Sequence, residues 1–423
     1  MSGNSLAAGL GASRTRRAVA MSEARLVNFL TAELVLVVTT QKLAIPLAGR
    51  ESQISLAFLI HFGFLAVWAL SGVLLVSRRR LVLLCAFAAL AAYAQLPFVG
   101  PGWSLPSMVL MLATSAMFVF VLPIGPAGYR SLLDRFVLVA LGAAVFVGVD
   151  WLFQLAGHPM PNLEALIPEA INYYQYNYIQ PVQWGSPWMK PNGLFFLETS
   201  HVSQFLGIGL VIELALFRRF AMVVVLGGAL LSTAGVTGLL LVATSLPFLL
   251  LRLRPTTLLG VLIALPILLL GTSQGGLLDG FTRRTAEFSQ GNSSGYNRFV
   301  LPAEWSLAAF DAPAGKALFG TGAGSMPKAI NDDETGSVGY AWPPYTKVGV
   351  EYGALVLIVW LMFLFSSLFA SGAPTVVAWA AFAQYNFLNG SLNVPIHTVY
   401  CVLLCAGYAF GDKIKEKLIN VVE

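Results

Sequence analysis

A carboxylate, two hydroxyls and an imidazole stand in four consecutive residues, Glu198-Thr199-Ser200-His201. If the segment is helical, Glu198 and His201 are three apart and share a face. Either group can act as the base for a hydroxyl nucleophile when its surroundings tune it. The stretch leading in, Lys190-Pro191-Asn192-Gly193-Leu194-Phe195-Phe196-Leu197, adds a cation upstream. Ionisable residues in or near a membrane helix are expensive, which makes them functional candidates by default. The plainer alternative is a helix N-terminus, with Glu198 near the positive end of the dipole and Thr199 and Ser200 satisfying backbone groups.

Arginines form the second group. Arg283-Arg284 is followed, after a Gly/Ser-rich stretch, by Tyr296-Asn297-Arg298. Guanidinium groups bind phosphate in a bidentate fork, so this set suits a pyrophosphate; solvated surface arginines are the bland reading. Seven acidic residues between 274 and 345 outnumber five basic ones, so any anion site there must be local. Leu318-Phe319-Gly320-Thr321-Gly322-Ala323-Gly324 superficially resembles a phosphate loop. It lacks the βαβ context of one, and a tight turn needing positive φ is the better expectation. In Tyr345-Thr346-Lys347-Val348-Gly349-Val350-Glu351, Lys347 and Glu351 are spaced for a structural ion pair. Tyr173, Tyr174, Tyr176 and Trp184 offer aromatic faces on which sugars could stack.

These groups need positioning, and the composition says by what. The chain has 423 residues, 57% hydrophobic and 11% charged. A soluble domain carries about 25% charged residues. The sequence therefore predicts an all-α polytopic membrane protein. A spanning helix needs about 20 apolar residues. Runs near 27–47, 54–76, 81–97, 105–123, 136–156, 193–217, 220–233, 235–251, 256–273, 346–369, 374–390 and 394–411 give about 12 transmembrane helices. Ser232-Thr233-Ala234-Gly235 is expected to turn between the seventh and eighth. With a cytoplasmic N-terminus, 16 of the 25 Lys and Arg fall inside, in short clusters such as Arg78-Arg79-Arg80 and Arg218-Arg219. Residues 1–25 then form a cytoplasmic tail and 26–423 the membrane domain. Segments 157–192 and 274–345 lie outside, the second carrying short helices, and 412–423 is a cytoplasmic tail. The basic residues are scattered between apolar runs, which argues against nucleic acid as a partner. Cys85, Cys401 and Cys405 lie in apolar runs with no metal or disulfide spacing.

Taken in this order, the motifs resemble the O-antigen polymerase and ligase superfamily, bacterial inner-membrane enzymes that handle undecaprenyl-pyrophosphate-linked glycans. The match covers roughly residues 190 to 360. Gly193-Leu194-Phe195-Phe196-Leu197-Glu198-Thr199-Ser200 looks like the family's Gly-Leu-Phe … Glu-Pro-Ser motif, with Thr199 in place of Pro. The hairpin around Ser232–Gly238, Asn297-Arg298 with Trp305, the Gly320–Gly324 turn and Tyr345 through Gly353 follow in the family's order. Two positions depart from it. Family ligases carry a His about eleven residues before the equivalent of Gly353, where this chain has Trp342, which favours a polymerase over a ligase. Lys190 stands where many relatives place Arg, keeping the charge and losing the fork.

The resemblance implies polymerisation of lipid-linked repeat units of O-antigen or exopolysaccharide at the outer face of the inner membrane. Glu198, His201 and Arg298 are the implied catalytic residues. Lys190, Arg283, Arg284, Tyr345, Lys347, Tyr174 and Trp184 are the implied binding residues. No ATP, nucleotide-sugar or metal motif is present in the sequence, so no cofactor is expected. A flippase and a chain-length regulator are candidate partners beside the bilayer itself. Ligase-type transfer, or transport without catalysis, is the alternative. The large outer loop is expected to bring Arg298 toward Lys190 and Glu198.

Overall fold

The computed structural model describes residues 22–46, 53–98, 103–173, 179–182, 185–251, 293, 295–326, 342–389 and 396–408. These residues are mostly helical. Among the described residues, strands form two antiparallel pairs, Ala44–Pro46 with Gln53–Ser55 and Leu75–Val76 with Phe120–Val121. Helix α1 (Glu23–Thr39) starts at Ser22, whose hydroxyl accepts from the Arg25 amide. It is followed by α2 (Leu56–Leu70), α3 (Arg78–Gln95), α4 (Leu105–Ala116) and α5 (Pro126–Leu155). Proline at the first position of α5 fits a place that needs no N–H donor. Then come α6 (Thr199–Ile212), α7 (Phe220–Ser232), α8 (Val236–Leu250), α9 (Leu301–Phe310), α10 (Pro344–Phe369) and α11 (Thr375–Ala383). The chain turns between α7 and α8 at Thr233–Gly235.

Three of these helices are long and apolar enough to cross a membrane: Pro126–Leu155, Pro344–Phe369, and α6 with its wide terminal turn, Thr199–Phe217. The apolar helices Leu56–Leu70, Leu105–Val119, Phe220–Ser232, Val236–Leu250 and Ile396–Ala406 are shorter. The ninth apolar run of the sequence, 256–273, lies outside the described residues. Large apolar side chains face outward, among them Leu70, Leu155, Phe220 and Leu251. Charged and polar side chains such as Glu33, His61, Asp150, Glu213 and Glu351 are turned inward. Soluble proteins do the reverse. Glu33 and His61, both fully buried, hydrogen-bond each other between α1 and α2.

Helix α6 lies at the centre, with 78% of its most apolar stretch buried. It packs on α5, α7, α8 and α11. Small residues let it approach α8 closely. A Cβ on Gly238 would sit 2.2 Å from the Ser203 carbonyl oxygen, so glycine there sets the contact. The Thr237 hydroxyl donates to the Ser200 carbonyl (3.2 Å), tying α8 to the first turn of α6.

The end of the bundle where α6 begins also receives the segment that carries Arg298. Helix α10 is broken there, because Gly353 has φ 85° and ψ 173°. The Gly320–Gly324 segment fills the break. Thr321 N donates to Val350 O and Gly322 N to Glu351 O, each at 3.0 Å. Gln95, from α3, donates to Glu351 O (3.2 Å) and accepts from Ala323 N (2.6 Å) and Trp103 Nε1 (3.1 Å). The glycines at 320, 322 and 324 all have positive φ, so the motif is a backbone clamp. A Cβ on Gly353 would lie 2.3 Å from Leu318 O, and one on Gly320 2.4 Å from Glu351 O.

Gly353→Ala combines strained φ with a backbone clash, and should destabilise the protein by about 2–3 kcal/mol or more. Gly142→Ala, in open space on α5, is the control and should be neutral. Thermal unfolding in detergent, read by size-exclusion fluorescence, distinguishes the two.

Candidate functional site

The site is built where α6 begins. Glu198 is the residue before the first turn, with extended backbone (φ −149°, ψ 165°), and its side chain does not cap the helix. Its carboxylate turns instead to Arg298, whose Nη2 donates to Oε2 at 2.8 Å. The Ser200 hydroxyl donates to the same oxygen at 3.0 Å. Ser200 Oγ also lies 3.3 Å from His201 Nδ1. The pair is partly open to solvent, with 26% of the Arg298 side chain and 12% of that of Glu198 exposed. Residues one hundred apart in sequence thus meet through a single charge-assisted contact.

Arg298 sits on a wide helical turn, Tyr296–Val300, which runs directly into α9. Its neighbour Tyr296 donates its hydroxyl to Glu304 Oε2 (2.6 Å). That bond holds the phenolic proton and raises Tyr296 above the ordinary tyrosine value. Asn297 points inward and is 2% exposed. The Ser306 hydroxyl donates to Pro302 O and packs the first turn of α9.

The loop that delivers Glu198 is fixed from α5. Asp150 and Gln154 are one turn apart and face the same way. Asp150 Oδ2 accepts from Asn192 N (3.2 Å) and Gly193 N (2.9 Å). Gln154 brackets Met189, accepting from its N–H (2.7 Å) and donating to its carbonyl (3.1 Å). These contacts hold a turn in which Gly193 and Leu194 both have positive φ, at 62° and 64°. Leu194 tolerates that strained conformation because Asn192 Oδ1 accepts from its N–H (3.0 Å).

The residues expected from the sequence fare differently. Glu198, Ser200, His201 and Arg298 come together. The Lys190 amide bonds Gln180 O (2.7 Å), which keeps its backbone in the same clamped loop. Lys347 pairs with Glu351 at 2.8 Å, both largely buried, so its charge is spent inside α10. The Tyr345 ring packs on Phe387, 5.4 Å away. Trp342 packs edge-on against Trp305 at 5.9 Å. Arg283, Arg284, Tyr174 and Trp184 lie outside the described residues.

Sequence reasoning does not single out three of the contributors. Asp150 and Gln154 are detectable only as polar groups in an otherwise apolar run. His397, whose ring stacks on His201 with centroids 5.1 Å apart, cannot be linked to it by spacing across nearly two hundred residues. Among the described residues, no cluster of His, Cys, Asp and Glu could hold a metal ion. In comparisons with known proteins, no family model matches the chain and no curated protein matches it.

Asp150→Ala would leave the Asn192 and Gly193 amides buried without an acceptor, at a cost of about 1–3 kcal/mol each. Asp150→Asn keeps an acceptor oxygen and should retain most of the stability. Limited proteolysis between 179 and 192 should be fast in the alanine variant and near the native rate in the asparagine variant.

Proposed function

We propose that the protein polymerises lipid-pyrophosphate-linked oligosaccharide repeat units at the outer face of a bacterial inner membrane. The observation that carries this reading is the Glu198–Arg298 pair, which brings a carboxylate and a guanidinium together at a partly open end of an apolar bundle. The reaction asks for those two chemistries. A departing diphosphate needs preorganised positive charge, and an acceptor hydroxyl needs a base. The resemblance in the order of motifs from 190 to 360 supports the same substrate class. The reading includes about twelve spans, with both termini cytoplasmic and the Glu198 end outside.

In this reading Arg298 binds the donor diphosphate, Glu198 takes the acceptor proton, and the buried His201 backs Glu198 through Ser200. Lys190 adds charge at the rim, and Trp342 in place of histidine favours polymerisation over ligation. A transport reading draws on one separate feature, the buried Glu33–His61 pair between α1 and α2, because buried ionisable groups mark ion and proton pathways. Glu33→Gln and Arg298→Ala separate the readings: polymer lost with Arg298→Ala and kept with Glu33→Gln supports the enzyme, whereas polymer lost with Glu33→Gln and kept with Arg298→Ala supports transport.

Arg298→Lys should fail nearly as badly as Arg298→Ala, since an ammonium cannot clasp two phosphate oxygens at once. Loss of leaving-group stabilisation on the order of 3 kcal/mol is roughly a hundredfold in rate. Lys190→Arg should be tolerated. Glycan polymer length in a complemented deletion strain, with membrane levels of each variant measured, is the readout. Normal polymer from Arg298→Lys would remove Arg298 as the diphosphate clamp.

Orientation has its own check. In a background without native cysteines, Ser186→Cys should label from outside with an impermeant thiol reagent, and Ser131→Cys should label only after lysis. The reverse pattern would invert the topology.

A further inference from the structure

The proposed reaction needs Arg298 and Glu198 to do different jobs, yet each occupies the other in the ligand-free protein. We propose that the pair is a latch opened by the donor: a diphosphate displaces the Glu198 carboxylate from Arg298, and Glu198 becomes free to take a hydroxyl proton only when that anion is bound. The inference rests on the polymerase reading and adds the regulation of its base.

Geometry supports an exchangeable contact. Arg298 engages Glu198 through Nη2 alone, at 2.8 Å. A diphosphate can meet the guanidinium fork with two parallel bonds, which a single-point carboxylate contact does not use. Partly exposed ion pairs are weak, so the carboxylate can be competed away. The residues next to each member in sequence carry unused donors. Asn297 Nδ2 and Thr199 Oγ1 are buried and have no hydrogen-bond partner among the described residues, although their residues are only 2% and 4% exposed. Buried donors of this kind ordinarily have acceptors, and phosphate oxygens are acceptors without donors. The pair also lies at the N-terminus of a 14-residue helix, the end that favours negative charge.

The released carboxylate is not stranded. Ser200 Oγ continues to donate to Oε2, and His201 Nδ1 stands behind that hydroxyl. When transfer follows, the acceptor oxygen bonds the anomeric carbon as the bond from that carbon to the phosphate oxygen breaks. The electron pair leaves with the lipid diphosphate, held by Arg298, and the hydroxyl proton ends on Glu198. In the donor-free site the Glu198 carboxylate is therefore held against Arg298.

The test is calorimetric titration of inorganic pyrophosphate into the full chain in phosphatidylcholine nanodiscs. Glu198→Gln removes the competing charge, so the variant should bind pyrophosphate about three- to fivefold more tightly than the native protein while making no polymer. Glu198→Asp, too short to hold Arg298 in the same contact, should also bind more tightly, which covers a glutamine variant that misfolds. Arg298→Ala should bind at least about tenfold more weakly. Equal affinities for native, Gln and Asp proteins, with Arg298→Ala still weak, would overturn the latch and leave the polymerase reading standing. Equal affinities for native and Arg298→Ala would overturn the anion site and the reading beneath it. A gain in Glu198→Gln that disappears when phosphatidylglycerol is added would assign the opened arginine to headgroup phosphates, overturning the diphosphate as its occupant.

Discussion

An apolar surrounding supplies no hydrogen bonds, so a bundle facing lipid must satisfy its polar groups from within. That constraint explains where the structure concentrates its polar residues. Asp150 and Gln154 point from α5 into the loop before α6, because that loop brings bare amides and carbonyls to the end of the bundle. Gln95 does the same for the broken helix α10, spending both ends of one amide on Glu351, Ala323 and Trp103. At the opposite end Arg80, a largely buried guanidinium, donates to the carbonyls of Phe118 and Ala406 and so caps the last helical turn with positive charge.

The candidate site follows from the same constraint. Two chain breaks, at 193–198 and at Gly353, would each expose unsatisfied backbone. Each is closed by a segment from elsewhere in the sequence: the first by α5, the second by the Gly320–Gly324 turn. Closing them sets the 295–326 segment and the start of α6 at the same end, and Arg298 meets Glu198 there. Catalytic geometry, in the proposed reading, is thus a by-product of how backbone polarity is satisfied near lipid. The strained φ values at Leu194 and Gly353 are held by these contacts rather than by local propensity.

Much of this is legible in the sequence for physical reasons. Long apolar runs have few structures open to them, so the helical class, the turn at Thr233–Gly235 and the Lys347–Glu351 pair can be read from spacing. The glycines at 320, 322 and 324 announce positive φ. Other features are beyond reach. Spacing shows which residues share a face but not which distant face they meet, so the His201–His397 stack and the Asp150 anchor emerge only from packing. Helix length also resists sequence reading: α1 stops at Thr39, short of the end of its apolar run, and Ala44–Pro46 instead pairs as a strand with Gln53–Ser55. Arg298 and its approach to Glu198 are expected from the order of the segments, whereas the direct 2.8 Å contact through Nη2 comes only from the structure.

Everything proposed for the site depends on residues 198 and 298 being neighbours in the folded protein. Cysteine crosslinking tests it most directly. Glu198→Cys and Arg298→Cys, combined in a background without native cysteines, should form an intramolecular bridge with a short bifunctional thiol reagent in intact membranes. Pairing Arg298→Cys with Ser131→Cys, on the far end of α5, should give none. Failure of the 198–298 pair to crosslink, in a double variant that inserts and melts like the native protein, would contradict the account.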